Sequence, residues 1–154
     1  MKRNAFFLCL LVLAACNGAH NGMTSVPGHG AVAVQVVPNP IVATHVSGST
    51  YDFPFDVVVR ETGGRPINVT RVSATVFAPG GITLARESWD ASQIQAMSYN
   101  TQLTANGEAR YHFAPRKDVP DERLFGGVSA ELRVDALDES GATTTASTVV
   151  TVTR

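Results

Sequence analysis

The 154 residues read as an all-β domain: a sandwich of seven antiparallel strands with one short helical turn near residues 90–97. Three features carry this reading. Val, Ile and Thr number 39, a quarter of the chain, and β-branched side chains favour extended backbone. Apolar residues recur at period two in segment after segment, the signature of antiparallel strands with one wet and one buried face. Turn signals separate the segments: Gly63-Gly64 with Pro66, Pro79-Gly80-Gly81, Asn106-Gly107, and residues 138–141. Many short strands with regular turns indicate a sandwich or a barrel, and a jelly roll fits the same pattern.

The chain opens with Lys2 and Arg3, followed by an uncharged, mostly apolar run over residues 5–15. Eleven residues are too few to span a bilayer, which needs about 20. They match the apolar core of a secretory signal, about 7–15 residues. The run ends in Leu13-Ala14-Ala15-Cys16. This resembles the lipobox of bacterial lipoproteins. The resemblance implies a signal peptide over residues 1–15, cleavage before Cys16, a diacylglycerol thioether on Cys16 and acylation of the new amino group. An ordinary signal cut after Ala19 is the alternative. Asn17 follows the lipid site where an Asp would favour inner-membrane retention, so the resemblance leans toward the outer membrane. The sequence has two cysteines, Cys9 and Cys16; the first leaves with the signal and the second is consumed by lipid. Removing Lys2 and Arg3 leaves 10 basic against 13 acidic residues, a net charge of −3 that gives no case for nucleic acid.

Residues 16–30 are the lipidated Cys and a tether. Four glycines and no charges in residues 17–30 describe a flexible linker. The domain proper is residues 31–154. Val32, Val34 and Val36 begin the alternation, which Pro38-Asn39-Pro40 stops. Tyr51, Phe53, Phe55, Val57 and Val59 form the longest apolar row, with Asp52, Asp56 and Arg60 opposite. Ile67 and Val69 are odd and Val72, Ala74 and Val76 even, so the face changes parity near Thr70 and Arg71, where a bulge is expected. Trp89 precedes residues 90–97, which suit one or two helical turns with Asp90 as N-cap. Trp89 reads as a cap on the core, or as an exposed binding side chain. Tyr111 and Phe113, then Val128, Ala130, Leu132, Val134 and Ala136, then Ala146, Thr148, Val150 and Val152 complete the pattern. Strand starts fall near residues 31, 51, 67, 82, 109, 127 and 143.

The opening Val36-Val37-Pro38-Asn39-Pro40, the long second strand and the closing pair resemble the immunoglobulin-like and fibronectin-type-III-like domains of bacterial surface proteins. The antibody-type Cys–Trp–Cys core is absent. Together with the lipobox, the resemblance implies a non-catalytic, lipid-anchored cell-envelope module that binds, adheres or acts as a spacer, with an envelope protein or a glycan as its partner. An exported hydrolase inhibitor or hydrolase accessory domain is the alternative.

The sequence offers no enzyme motif: no H-E-x-x-H, G-x-S-x-G, P-loop or C-x-x-C. His20, His29, His45 and His112 are scattered, and neither a metal nor a cofactor is expected. One segment stands out. Residues 115–127, PRKDVPDERLFGG, hold Arg116, Lys117, Asp118, Asp121, Glu122 and Arg123, six charges in thirteen residues. These six are the candidate partner-binding residues. A solvated crossover loop, or calcium ligation by Asp118, Asp121 and Glu122, would use the same composition. An up-and-down strand count puts residues 61–66, 90–108 and 138–142 at the pole where the tether joins, with Glu61 and Arg65 as its surface charges. It puts residues 39–50, 78–81 and 115–127 at the far pole.

Overall fold

A computed structural model describes residues 28–154. The signal, Cys16 and residues 17–27 of the tether lie outside the described residues. Twelve strands occur among those described. The first six are β1 (Val32–Val37), β2 (Ile41–Val42), β3 (Thr44–Ser47), β4 (Thr50–Asp52), β5 (Phe55–Glu61) and β6 (Ile67–Phe77). After them come β7 (Thr83–Asp90), helix α1 (Ala91–Ala96), β8 (Gln102–Leu103), β9 (Glu108–Phe113) and β10 (Arg116–Asp118). A 3₁₀ turn over Glu122–Phe125 leads into β11 (Ser129–Asp138) and β12 (Thr143–Thr153).

Seven of these, β1, β5, β6, β7, β9, β11 and β12, are the expected strands, so the count of seven is corrected to twelve. The five additions are two to four residues long, too short to show a period. The expected strand from Tyr51 is two strands, because Pro54 has no N–H to give the ladder and divides β4 from β5.

The strands form two layers. One is β1-β5-β9, continued toward one end by β10-β4-β3. The Phe53 N–H donates to the Pro115 carbonyl at 3.0 Å and links the two parts. The other layer is β2-β12-β11-β6-β7, with β8 beside β6. The pairing is not wholly antiparallel, since β2 runs parallel to β12. Pro38 and Pro40 end the first ladder, and the chain passes from β5 in one layer to β12 in the other.

Alternation places the core between the layers. Val57, Val59 and Tyr111 from one side and Val72, Leu132 and Val134 from the other are all fully buried. Each such side chain contributes about 1.5–3 kcal/mol through burial. The bulge falls where parity predicts it. The β6–β11 register slips between Asp135 and Ala136, opposite Thr70. The Thr70 hydroxyl donates to the Asp135 carbonyl at 3.0 Å. Helix α1 begins at Asp90, whose carboxylate accepts from the Gln93 N–H while the Gln93 side chain accepts from the Asp90 N–H. Ile94 anchors it in the core. Trp89 caps the core: its ring stacks on Phe113 with centroids 4.1 Å apart and meets Phe55 edge-on.

The connections gather at two poles. Residues 28–31, 61–66, 104–107 and 138–142 share one, held by two carboxylates. Glu61, expected at the surface, is 1 % exposed. It accepts from the backbone N–H groups of Ala31, Gly63, Gly64 and Asn106 at 2.6–3.2 Å. Asp138 accepts from the Gly30 N–H at 3.0 Å and from the Ser140 and Ala142 N–H groups at 2.9 Å. Gly30 passes so close that a Cβ there would sit 2.6 Å from Ile67 and 2.9 Å from Asp138. The other pole holds residues 41–52, 78–81, 115–127 and Arg154.

Candidate functional site

The six charged residues singled out by composition lie at this second pole. Arg116, Lys117 and Asp118 form β10, whose register sets Arg116 opposite Asp52 and Asp118 opposite Thr50. Asp121 caps the 3₁₀ turn that carries Glu122 and Arg123. Every one of the six is engaged within the chain, and only Asp121 and Arg123 engage each other. The Arg116 guanidinium grips Asp52 with two hydrogen bonds of 2.7 and 2.9 Å. The Arg123 fork does the same to Asp121. The Thr50 hydroxyl donates to Asp118 at 2.6 Å. The Tyr51 hydroxyl donates to Glu122 at 2.5 Å, and Arg154 pairs with the other Glu122 oxygen. Lys117 reaches across to Glu87 on β7.

These partners set the titration of the pole. The Arg116 hydrogen bonds hold the Asp52 carboxyl below its usual range, and Asp52 raises Arg116 in return. Arg123 lowers Asp121 likewise. The hydrogen bond from Tyr51 lowers Glu122 and raises the phenol. All of these groups are therefore charged, or in the case of Tyr51 neutral, at neutral pH. Exposed pairs of this kind add little to stability, because water and salt screen them. Their greater effect is to fix the conformation of residues 116–125.

Beneath that segment lies an apolar cavity of about 420 Å³. Val119, Leu124 and Phe125 of that segment line it, together with Phe53 and Phe55 from one layer and Leu132 from the other. Three small side chains on the inner face of the larger sheet, Ala74, Ala85 and Ala130, leave the space. Phe125 packs against Tyr51 and Phe53, with ring centroids 5.3 and 6.3 Å apart. Glu87 of edge strand β7 and Lys117 of β10 line the cavity on either side of the gap between the two strands. The Lys117–Glu87 pair spans the gap. A cavity of this kind, apolar within and polar at its lip, can take the hydrocarbon part of a small molecule.

Sequence reasoning found the charged segment but not Glu87, nor the cavity. A signal for Glu87 exists: it stands between Ala85 and Trp89 at period two, a charge on the apolar parity of a strand. The expected positions of Asp52 and Asp56 on an outward face hold, and Asp56 bridges Arg110 and His112 at 3.0 and 2.8 Å. Among the described residues, no three His, Cys, Asp or Glu side chains are placed to hold a metal ion. No described helix is long and apolar enough to cross a membrane. Cys16 lies outside the described residues.

No family model matches the chain, and no curated protein matches its sequence. Solved structures do resemble its fold. The Northeast Structural Genomics Consortium target SoR45 superposes with a TM-score of 0.54 at 12% identity, over 83% of this chain and 90% of that one. The CARDB domain of PF1109 from Pyrococcus furiosus gives 0.38 at 16% identity, over 81% and 96%. The C-terminal domain of wzt gives 0.44 at 11% identity, over 86% and 77%. At these identities the likeness concerns the fold alone, and SoR45 carries it.

Proposed function

We propose that this chain is a lipid-anchored, non-catalytic module of the bacterial cell envelope, an immunoglobulin-like sandwich whose far pole engages an envelope protein or glycan. The lipobox residues Leu13-Ala14-Ala15-Cys16 support the anchor. The layer order, β1-β5-β9 against β12-β11-β6-β7 with the opening strands shared between layers, supports the immunoglobulin-like reading. The observation that carries the functional proposal is polarity. The described chain begins at Gly28, and Gly30 is fixed to Asp138 at one pole. The charged segment, the cavity and the loop carrying His45 stand at the other. A module tethered at the first pole presents the second, and exposed loops on a rigid scaffold are where binding concentrates. Outer-membrane placement accords with Asn17.

The test has two arms. Cys16→Ser should abolish incorporation of labelled palmitate, leave unprocessed precursor and move the protein out of the detergent phase. Incorporation by the variant equal to wild type would overturn the anchor. For the partner, whole-cell pull-down with wild type is compared with Arg116→Glu/Lys117→Glu/Arg123→Glu and with Arg65→Glu. A defined envelope partner lost only with the triple change supports the far pole. Loss only with Arg65→Glu reverses the polarity, and protease protection without a partner favours the inhibitor reading.

A further inference from the structure

We infer that a second copy of this chain docks on the free edge of β7, strand against antiparallel strand, about a two-fold axis at Ser88. Strand β7 ends the larger sheet: β6 lies on one side, and among the described residues no strand pairs on the other. Such an edge presents unpaired N–H and C=O groups that another extended backbone satisfies. The α1 cap fixes which groups these are. The Asp90 N–H goes to the Gln93 side chain at 2.9 Å and not to β6. Alternation then turns the backbone groups of Ser88 and Arg86 to the free edge as well. A bulge limits the length of the edge. Val76 stands opposite Ala85 and Phe77 opposite Thr83, so Leu84 is an extra residue and the regular edge is residues 85–90.

Charge selects the occupant and its register. Arg86, Ser88 and Asp90 alternate on the outward face, opposite Thr75, Ser73 and Arg71 of β6, and all three are exposed. The ion pairs of the described residues all use cations other than Arg86. The Asp90 carboxylate caps α1 through one oxygen, Oδ1. An added strand must keep its outward residues on the outward face. A second β7 centred on Ser88 does so, and it sets Arg86 opposite the partner's Asp90 and Asp90 opposite the partner's Arg86. Unlike charges therefore meet twice. Centring on Arg86 would oppose two arginines, and centring on Glu87 two glutamates; like charges directly opposite destabilise a ladder. Centring nearer to Asp90 leaves three residues or fewer to pair. At Ser88 the two serines exchange both backbone bonds, and each Arg86 N–H reaches the partner's Asp90 carbonyl. The contact is isologous, the kind that closes a two-fold dimer. The axis reverses the strands, so the two chain starts lie at opposite ends of the pair. Under the anchor proposed at Cys16, such a pair joins copies on facing surfaces and not upright neighbours on one. That consequence rests on the anchor; the pairing itself does not.

The test uses the chain from Asn17 onward, which keeps every described residue and has no cysteine. Sedimentation equilibrium into the millimolar range should show a reversible monomer–dimer equilibrium. Arg86→Glu should weaken the dimer about fivefold, since the symmetric contact loses two pairs at once. Ser88→Pro removes an N–H that faces the free edge and none from the β6 ladder, so it should abolish the dimer. Ser88→Cys should form a disulfide-linked dimer under mild oxidation, because the Cα atoms of a hydrogen-bonded pair lie about 5.5 Å apart, within disulfide reach. Ser140→Cys, exposed at the other end of the sheet's strands, should cross-link far more slowly. A chain that stays monomeric, or a dimer unchanged by Ser88→Pro, overturns the proposal, and so does equally fast cross-linking through the two cysteines. If circular dichroism shows Ser88→Pro unfolded, the cysteine variants decide alone. A partner captured from whole cells that is lost with Ser88→Pro, while the chain itself stays monomeric, would give the edge to a foreign strand and overturn the second copy. Acylated wild type in vesicles should cluster them, and acylated Ser88→Pro should not; no clustering, or clustering by both, overturns the facing arrangement alone.

Discussion

Glu61 and Asp138 are buried at the pole where the described residues begin, and backbone N–H groups from the opening segment and three turns converge on them. Burial alone would raise the Glu61 carboxyl, but donors led by the Asn106 and Ala31 N–H groups outweigh it, and the group lies below its ordinary value. Asp138 is lowered too, first by the Ser140 hydroxyl and then by the Gly30 N–H. A carboxylate held lower in the folded state than in the unfolded state contributes stability that is fully present above its unfolded pKa. That contribution is lost as pH falls through the folded value. The Tm should therefore be nearly level from about pH 8 to 5 and fall below about pH 4.5, where unfolded carboxylates begin to take up protons. Glu61→Gln and Asp138→Asn should lower the plateau and flatten the acid limb. Melting curves measured at half-unit pH steps check this; an acid limb as steep in the double variant as in wild type would remove these two residues as its source. At pH 7, Glu61→Ala leaves buried donors unsatisfied and should cost on the order of 3 kcal/mol in urea unfolding. Arg65→Ala, an exposed neighbour, should stay within about 0.5 kcal/mol.

At the scale of elements, β11 gives the clearest test of the alternation. Leu132 is fully buried, whereas Glu131 and Arg133 on either side face outward. Leu132→Ala should cost about 2–5 kcal/mol and Glu131→Ala about 0.5 kcal/mol or less; equal costs would mean the faces are exchanged. In α1, Asp90→Ala removes the cap and should cost about 1 kcal/mol, while Asp90→Asn should restore most of it. Parity made the seven long strands, the bulge at Thr70 and the Asp90 cap legible in the sequence, because each depends on neighbours within a few residues. It also carried unread information. Glu61, Glu87 and Asp138 all stand on the apolar parity of their strands, and all three turn inward to partners. The short strands were illegible because two to four residues have no period and owe their pairing to the adjacent ladder. The candidate site was half legible. Composition marks residues 116–123, but their partners Thr50, Tyr51, Asp52, Glu87 and Arg154 are distant in sequence and meet them only through sheet register. The cavity depends on three alanines from different strands facing each other, which no local pattern reveals.

For the whole molecule, the decisive quantity is the distance between the poles. Strand β6 crosses the domain with 11 residues. At about 3.3 Å per residue that is roughly 35 Å. If the residues from 17 up to Gly30, which is fixed to Asp138, act as the flexible linker their composition suggests, they reach about 20 Å on average, less than the length of the domain. If acylated Cys16 holds the chain to a bilayer, the poles should therefore stand at different mean heights above it. Ser140 lies in the turn beside Asp138 at one pole, and Ser49 lies in the turn before β4 at the other. Both are exposed. No cysteine follows Cys16, so Ser140→Cys or Ser49→Cys places a single reactive thiol on the acylated chain. Each is labelled with a donor dye and reconstituted into vesicles containing an acceptor-labelled lipid. Transfer should be clearly greater from position 140 than from position 49, and the difference should vanish when the chain is produced from Asn17 onward, without the anchor, the signal and Cys9. Equal transfer from the two positions on anchored protein would mean that the domain tumbles or lies flat, and greater transfer from position 49 would place the cavity and the charged segment against the membrane.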